Sequence, residues 1–283
     1  MEYQLITDGS ADLPEDFAEK HQIKVVPLNI HFGEEEVRSD AFSNKEYYER
    51  MRTSAELPKT SAPSPTSFYE TFKQVDADKP ILVITLTKEL SATYQNAEIG
   101  KEMLLEEEPD RQIEVLNSKT ASSGLALLLH EAIHSKRQSF KELIDHMKVK
   151  IEETATLFSL ATVENLIKGG RLDRVRGAIA KTLNIKLLMK ASEIGDIEVT
   201  EKILGEKKAL RRLVDQIGDY TSNLQNKTVA LAHSNCEGKA KKILERIRET
   251  YQPKNELLVE MGPLIATYAG EGGIVVSFFE EKK

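Results

Sequence analysis

Six side-chain hydroxyls stand where the chain leaves a strand or enters a helix: Ser10, Thr60, Ser61, Ser91, Thr93 and Ser118. In open parallel sheets, ligands bind outside the carboxyl ends of the strands. Helix N-termini at those ends offer free N–H groups and a positive dipole end to an anion. Hydroxyls beside them add neutral donors, so the set suits an anionic head group. Each hydroxyl alone also reads as an ordinary helix N-cap. Other chemistry is weaker. His130, Glu131 and His134 spell HEAIH, the spacing of a helical zinc site, but on a helix whose Leu125, Leu128, Leu129 and Ile133 face reads as packing surface. Cys236 follows His233 by three residues in a strand-to-helix loop, a loose match to a thiol–imidazole pair. Neither GxxxxGK[ST] nor a strand-linked GxGxxG occurs, which argues against a standard ATP or NAD loop.

The elements that must position these groups alternate. Tyr3–Thr7 reads as a strand ending in Asp8-Gly9-Ser10, and Ile81–Thr87 as a continuous apolar, buried strand of a parallel sheet. Ile23–Phe32 is β-rich, with Pro27 marking an edge or bulge. Ser64 as N-cap and Pro65 at the first helical position predict a helix through FYETFKQV. Ser91 opens the next helix, Ile113–Leu116 is a strand, and LALLLHEAIH and FKELIDHMKVKIEE are helices. This βαβα series predicts a parallel, Rossmann-like sheet over residues 1–155. Over 156–283 the pattern mixes hairpins with crossovers, giving a second α/β domain with a mixed sheet. Its elements are strand Thr156–Thr162, short helices Val163–Lys168 and Ala178–Thr182, and a strand pair Ile185–Lys190 and Ile197–Ile203 turning at Gly195-Asp196. A helix Glu206–Asn223, strand Val229–Ala232, helix Gly238–Tyr251 and strands Leu257–Glu260 and Ile274–Phe279 follow.

The 283 residues are 40% hydrophobic and 30% charged, an ordinary globular composition that excludes disordered and fibrous classes. No apolar run approaches the ~20 residues of a membrane span, so no stable membrane insertion is expected. The start, MEYQLITDGSADLP, lacks a basic segment and an apolar core, and Cys236 is the single cysteine. Both point to a reducing cytoplasm. A net charge of −7 argues against a general nucleic-acid binder. One stretch reverses it: Lys168, Arg171, Arg174, Arg176, Lys181, Lys186 and Lys190 against Asp173 alone.

Taken in order, the opening strand with DGSADLP, KTSAPSP at 59–65, LSATYQNA at 90–97, VENLIKGGRL at 163–172, LNIKLLM at 183–189 and MGPLIATYAGEGGIVV at 261–276 resemble the DegV family across essentially the whole chain. The resemblance implies two α/β domains with a long-chain fatty acid between them. It further implies a carrier without catalytic residues or cofactors of its own, which presents the acyl carboxylate to a separate fatty acid kinase subunit. The acyl phosphate formed there feeds phospholipid synthesis. Carried over by motif, Thr60 and Ser91 match carboxylate-binding hydroxyls, and Gly169, Gly170 and Arg171 match a KGGR segment at the ligand entrance. Ser10 and Ser61 join the candidate ligand-binding set. Two positions depart from the pattern. Ala92 replaces the usual glycine after the LS serine, and Tyr268 stands where a histidine usually helps hold the carboxylate. The basic stretch would then be a docking surface for the kinase. A reading of another class is a stand-alone serine or cysteine hydrolase or acyltransferase acting on lipids, using Ser91 or Cys236 with His233.

Overall fold

The computed structural model describes residues 2–172 and 184–281. In chain order the first half comprises β1 (Gln4–Asp8), α1 (Phe17–Lys20), β2 (Lys24–Val26), β3 (Asn29–Phe32), β4 (Glu35–Arg38), α2 (Asn44–Thr53), β5 (Lys59–Ser61), α3 (Pro65–Lys73), β6 (Ile81–Thr85), α4 (Thr93–Glu107), β7 (Ile113–Asn117), α5 (Ser123–His134) and α6 (Phe140–Glu152). The second comprises β8 (Thr154–Ser159), α7 (Glu164–Lys168), β9 (Ile185–Ala191), β10 (Ile197–Leu204), α8 (Glu206–Asp215), α9 (Ile217–Tyr220), β11 (Thr228–His233), α10 (Glu237–Tyr251), β12 (Asn255–Glu260), α11 (Pro263–Ala269) and β13 (Ile274–Phe279). The helix expected at Ala178–Thr182 lies outside the described residues.

Strands β2-β1-β6-β7 form an all-parallel sheet. Every residue of β1 and β6 is buried; in β6 this burial is written as a nearly continuous apolar run, whereas β1 buries Gln4, Thr7 and Asp8 beside Leu5 and Ile6. Strands β10-β9-β8-β13-β11-β12 form the mixed sheet, with β11 parallel to β12 and the remaining neighbours antiparallel. The α/β architecture with one parallel and one mixed sheet is therefore as expected. Helix α5 lies between the sheets, touching β6 on one side and β8, β11 and β13 on the other. A helix covered on both sides is apolar around most of its circumference, hence the Leu125–Leu129 run.

Two elements differ from expectation. The stretch Ile23–Phe32 splits at Pro27, with β2 in the parallel sheet and β3 in a small antiparallel sheet ordered β4-β3-β5. Proline has no N–H to continue a ladder, so the chain changes sheet there. The helix expected from Glu206 to Asn223 is two helices, α8 and α9, meeting at Gln216.

On the surface, α1 is fastened to α5 by rings. Phe17 and His21 lie 4.6 Å apart, His130 and His134 stack at 4.1 Å, and His21 meets His134 edge-on at 6.1 Å. Glu131, which a zinc site would aim at substrate water, instead pairs with His146 at 2.7 Å. Burial, reinforced by His134, holds the His130 imidazole down at about 4. A histidine kept neutral in the fold but protonated in the unfolded chain removes stability as pH falls from its ordinary 6.5 toward that value. Because the ring is only partly buried, the loss should be on the order of 1–2 kcal/mol. Urea unfolding at pH 7 and 4.5 should show it, and His130→Phe should lessen the difference between the two pH values. An unchanged difference would remove His130 from the account.

Candidate functional site: a cleft between the sheets

An apolar cleft of about 880 Å³, counted out to its open mouth, lies between the carboxyl ends of the parallel strands and one face of the mixed sheet. Leu86 and Leu90 supply one wall, Phe158, Leu160 and Val275 the opposite wall, and Leu264 and Ile265 of α11 a third side. Threonines on the walls do not make them polar. Thr120 Oγ1 meets Thr156 Oγ1 at 2.8 Å, Thr156 meets Ser277 at 3.0 Å, and Ser277 meets Ser123 at 2.9 Å. These hydroxyls satisfy one another across the two halves, leaving the cleft surface almost wholly apolar.

One corner is polar, and four segments build it. In β5, Thr60 pairs with Ile30 of β3, so the two-residue alternation of a strand sends Thr60 one way and Lys59 and Ser61 the other. Thr60 reaches the cleft, where its Oγ1 lies 2.6 Å from the Tyr268 hydroxyl on α11. Ser91 lines the same cleft in the turn before α4, with its Oγ 2.8 Å from Thr93 Oγ1 and accepting from Thr93 N at 3.3 Å. The helix therefore begins at Thr93, not at Ser91. Arg171 follows α7, places its guanidinium 4.9 Å from the centre of the Tyr268 ring, and donates Nε to Leu90 O at 3.3 Å. Gly169 gives that ring its room. A Cβ on Gly169 would lie 2.4 Å from Tyr268 Cε1.

Thr60, Ser91, Arg171 and Tyr268 are thus brought together. Ser10, Ser61 and Gly170 are not among the residues lining the cleft. Ser10 is fully buried and donates its N–H to Asp8 Oδ1 at 2.9 Å. Ser61 is exposed and meets His31 Nε2 at 3.0 Å. Gly170 takes a φ of +75° in the turn that ends α7. Sequence reasoning missed α11 as a helix, although Pro263 at its first position and the Gly270 that stops it were signals. It also missed β4 and β5, which are short and polar.

No histidine lines the cleft among the described residues. His233 and Cys236 lie outside that lining, with the thiol directed at Gly273 O, 3.6 Å away. Burial pushes the Cys236 thiol up and the His233 imidazole down. Both shifts oppose a thiolate–imidazolium pair. Iodoacetamide should therefore modify Cys236 more slowly than a free thiol at pH 7.5, and urea should abolish the protection. Rapid labelling of the folded protein would contradict this.

Of the basic stretch, Arg174, Arg176 and Lys181 lie outside the described residues. Lys186 Nζ donates to Ala161 O at 2.6 Å and Lys190 pairs with Glu198 at 3.5 Å. Among the described residues no helix is long and apolar enough to cross a membrane.

Comparison with known proteins gives the same frame. A DegV domain-containing protein of Streptococcus pneumoniae is 30% identical over 284 residues, covering 98% of this chain and 99% of that one. A Ruminococcus gnavus DegV-family protein solved with vaccenic acid superposes with a TM-score of 0.91 at 32% identity, covering 97% and 99% of the two chains. The Streptococcus pneumoniae Fatty Acid Kinase B3 protein, solved loaded with linoleic acid, superposes with a TM-score of 0.88 at 29% identity, covering 99% and 100%. The family model described as "Uncharacterised protein, DegV family" matches residues 2–281. With a family match from end to end and relatives alike over their full lengths, the chain belongs to the DegV family.

Proposed function

We propose that the protein binds a long-chain fatty acid, holds its carboxylate at Thr60, Ser91 and Tyr268 with Arg171 beside them, and presents it to a separate kinase subunit in the cytoplasm. Residues 1–155 and 156–283 act as two domains facing each other across the cleft. The observation that carries the reading is the pairing of an apolar cleft with a polar corner. Burying methylenes at ~0.8 kcal/mol each gives a sixteen-carbon acid on the order of 11 kcal/mol gross. Ordering and association costs offset much of it. The carboxylate needs donors once water leaves, and hydroxyls supply them without fixing the head in a bidentate ion pair. The head then stays open to a phosphoryl donor. The ligands named for the Ruminococcus gnavus and Streptococcus pneumoniae proteins support the acyl part of this reading, and the latter's name supports the kinase part.

Native mass spectrometry of protein purified from a bacterial host should show a retained adduct of fatty-acid mass. No adduct, even after incubation with oleate, would overturn the reading. For the kinase step, charge reversal at Arg174 and Arg176 should slow partner-dependent acyl phosphate formation, leave oleate binding intact, and matter less as salt rises. A salt-independent loss would instead give these residues a structural role. Turnover by the purified chain without partner or ATP would favour the hydrolase reading.

A further inference from the structure

Asp12 is a carboxyl with no part in the head-group corner, yet it is 3% exposed at the seam of the two halves. Its Oδ1 accepts the Gly262 N–H at 2.7 Å, and its Oδ2 accepts the Ser122 hydroxyl at 2.5 Å. Gly262 is the N-cap of α11, and Ser122 is the N-cap of α5. One carboxyl from the β1–α1 loop therefore ties the start of α11, which lines the cleft, to the start of α5, whose N-cap Ser122 does. At the far end of α11, about 10 Å away at 1.5 Å per residue, stands Tyr268, bonded to Thr60. Ser122 is held in the left-handed region at φ 56° while its N–H donates to Ser10 O at 3.0 Å, so this junction is fixed from both sides.

We propose that Asp12 is a positioning residue for the head-group corner, a buried carboxyl that docks the start of α11 against the start of α5 across the seam. This rests on the fatty-acid reading above. Desolvation pushes the Asp12 carboxyl up to about 7, against the weaker opposing pull of its bonds to Ser122 and Gly262. If α11 moves away, water reaches Asp12 and its affinity for the proton falls back toward the ordinary 3.8. Opening then releases a proton, so it becomes more favourable as pH rises toward 7 and levels off above it. The other ionisable groups at this seam do not replace Asp12 in that role. Tyr48 of α2 donates to Met261 O at 3.2 Å and is raised further by burial. Glu260, at the end of β12, acts on Tyr48. Asp8 is fully buried and accepts Ser10 N and Leu86 N, both in the first half, so it does not span the seam.

The test is the release of bound oleate to excess fatty-acid-free serum albumin, timed at pH 5.5, 6.5, 7.5 and 8.5. In the native protein, release should quicken by at least about fivefold from pH 5.5 to 7.5, within a ceiling of ~tenfold per pH unit, and then level off. Asp12→Asn keeps an acceptor for Gly262 and cannot ionise, so its release should be flat. Ionisation of oleate is common to both proteins and cancels. Identical pH profiles in the two would overturn the proposal. Should neither protein hold oleate, the fatty-acid reading fails by itself. The Asp12 role is then read from hydrogen exchange of the α11 amides, corrected for intrinsic rates. Protection should fall with rising pH in the native protein and stay level in Asp12→Asn, and equal slopes would overturn it. If Asp12→Asn does not fold, Ser122→Ala serves, since it removes a bond favouring the ionised form. The native midpoint should move upward, and an unmoved midpoint counts against Asp12.

Discussion

Thr60→Val and Tyr268→Phe should each weaken fatty-acid binding by ~10- to 150-fold, and the double substitution by clearly less than the product. A hydrogen bond to a charged group is worth ~1.5–3 kcal/mol, which sets the single effects. The shortfall in the double follows from geometry. The two hydroxyls lie 2.6 Å apart and form one unit, each orienting the proton of the other. Groups in one hydrogen-bond network couple by ~0.5–3 kcal/mol in a double-mutant cycle. Ser91 offers a contrast within the same corner. Its partner is Thr93, on its own turn, so Ser91→Ala combined with Tyr268→Phe should be close to additive. Fluorescence titration with a conjugated polyene fatty acid gives all the constants needed. Native affinity in the Tyr268→Phe variant would show that the tyrosine only packs the corner. Strict additivity with Thr60→Val would show that the 2.6 Å contact does not persist with ligand bound.

Which parts of this corner were legible in the sequence follows from the range of the interactions that make them. The parallel sheet was legible because β6 is buried on both faces and therefore written as an apolar run, set in an alternation of strands and helices. The α3 start was legible because Ser64 accepts from Ser67 N and Pro65 follows it, a local signal resolved within four residues. The β9–β10 hairpin was legible at Gly195 and Asp196 for the same local reason. The three-stranded sheet was not. Lys59–Ser61 has no apolar residue, and it is a strand only because β3, itself paired with β4, supplies the ladder at Asn29–His31. Asp12 reads as one more acidic residue in a polar loop. Its partners are 110 and 250 residues away, so only the assembled fold shows that it is buried. Thr60, Ser91 and Tyr268 were found together through the family resemblance. Their spacing alone left each as an N-cap or a packing residue.

Gly195→Ala should cost about 2–4 kcal/mol of stability and at least tenfold in fatty-acid affinity. Gly195 sits at the tip of the β9–β10 hairpin at φ +91°, a conformation that favours glycine. The tip also presses on the first half. A Cβ there would lie 2.2 Å from Thr87 Oγ1 and 2.8 Å from Lys119 Cα, and the second contact is backbone that no side-chain rotation relieves. The hairpin would have to withdraw, taking Ala191, Asp196 and Ile197 away from the cleft they line. Gly205 separates the two causes. It has nearly the same φ, +90°, but nothing lies within 4 Å of its Cβ position. Gly205→Ala should therefore cost only backbone strain, about 1 kcal/mol, and leave binding unchanged. Urea unfolding and ligand titration of the two variants side by side decide the matter. If Gly195→Ala unfolds and binds like Gly205→Ala, the hairpin tip does not shape the cleft.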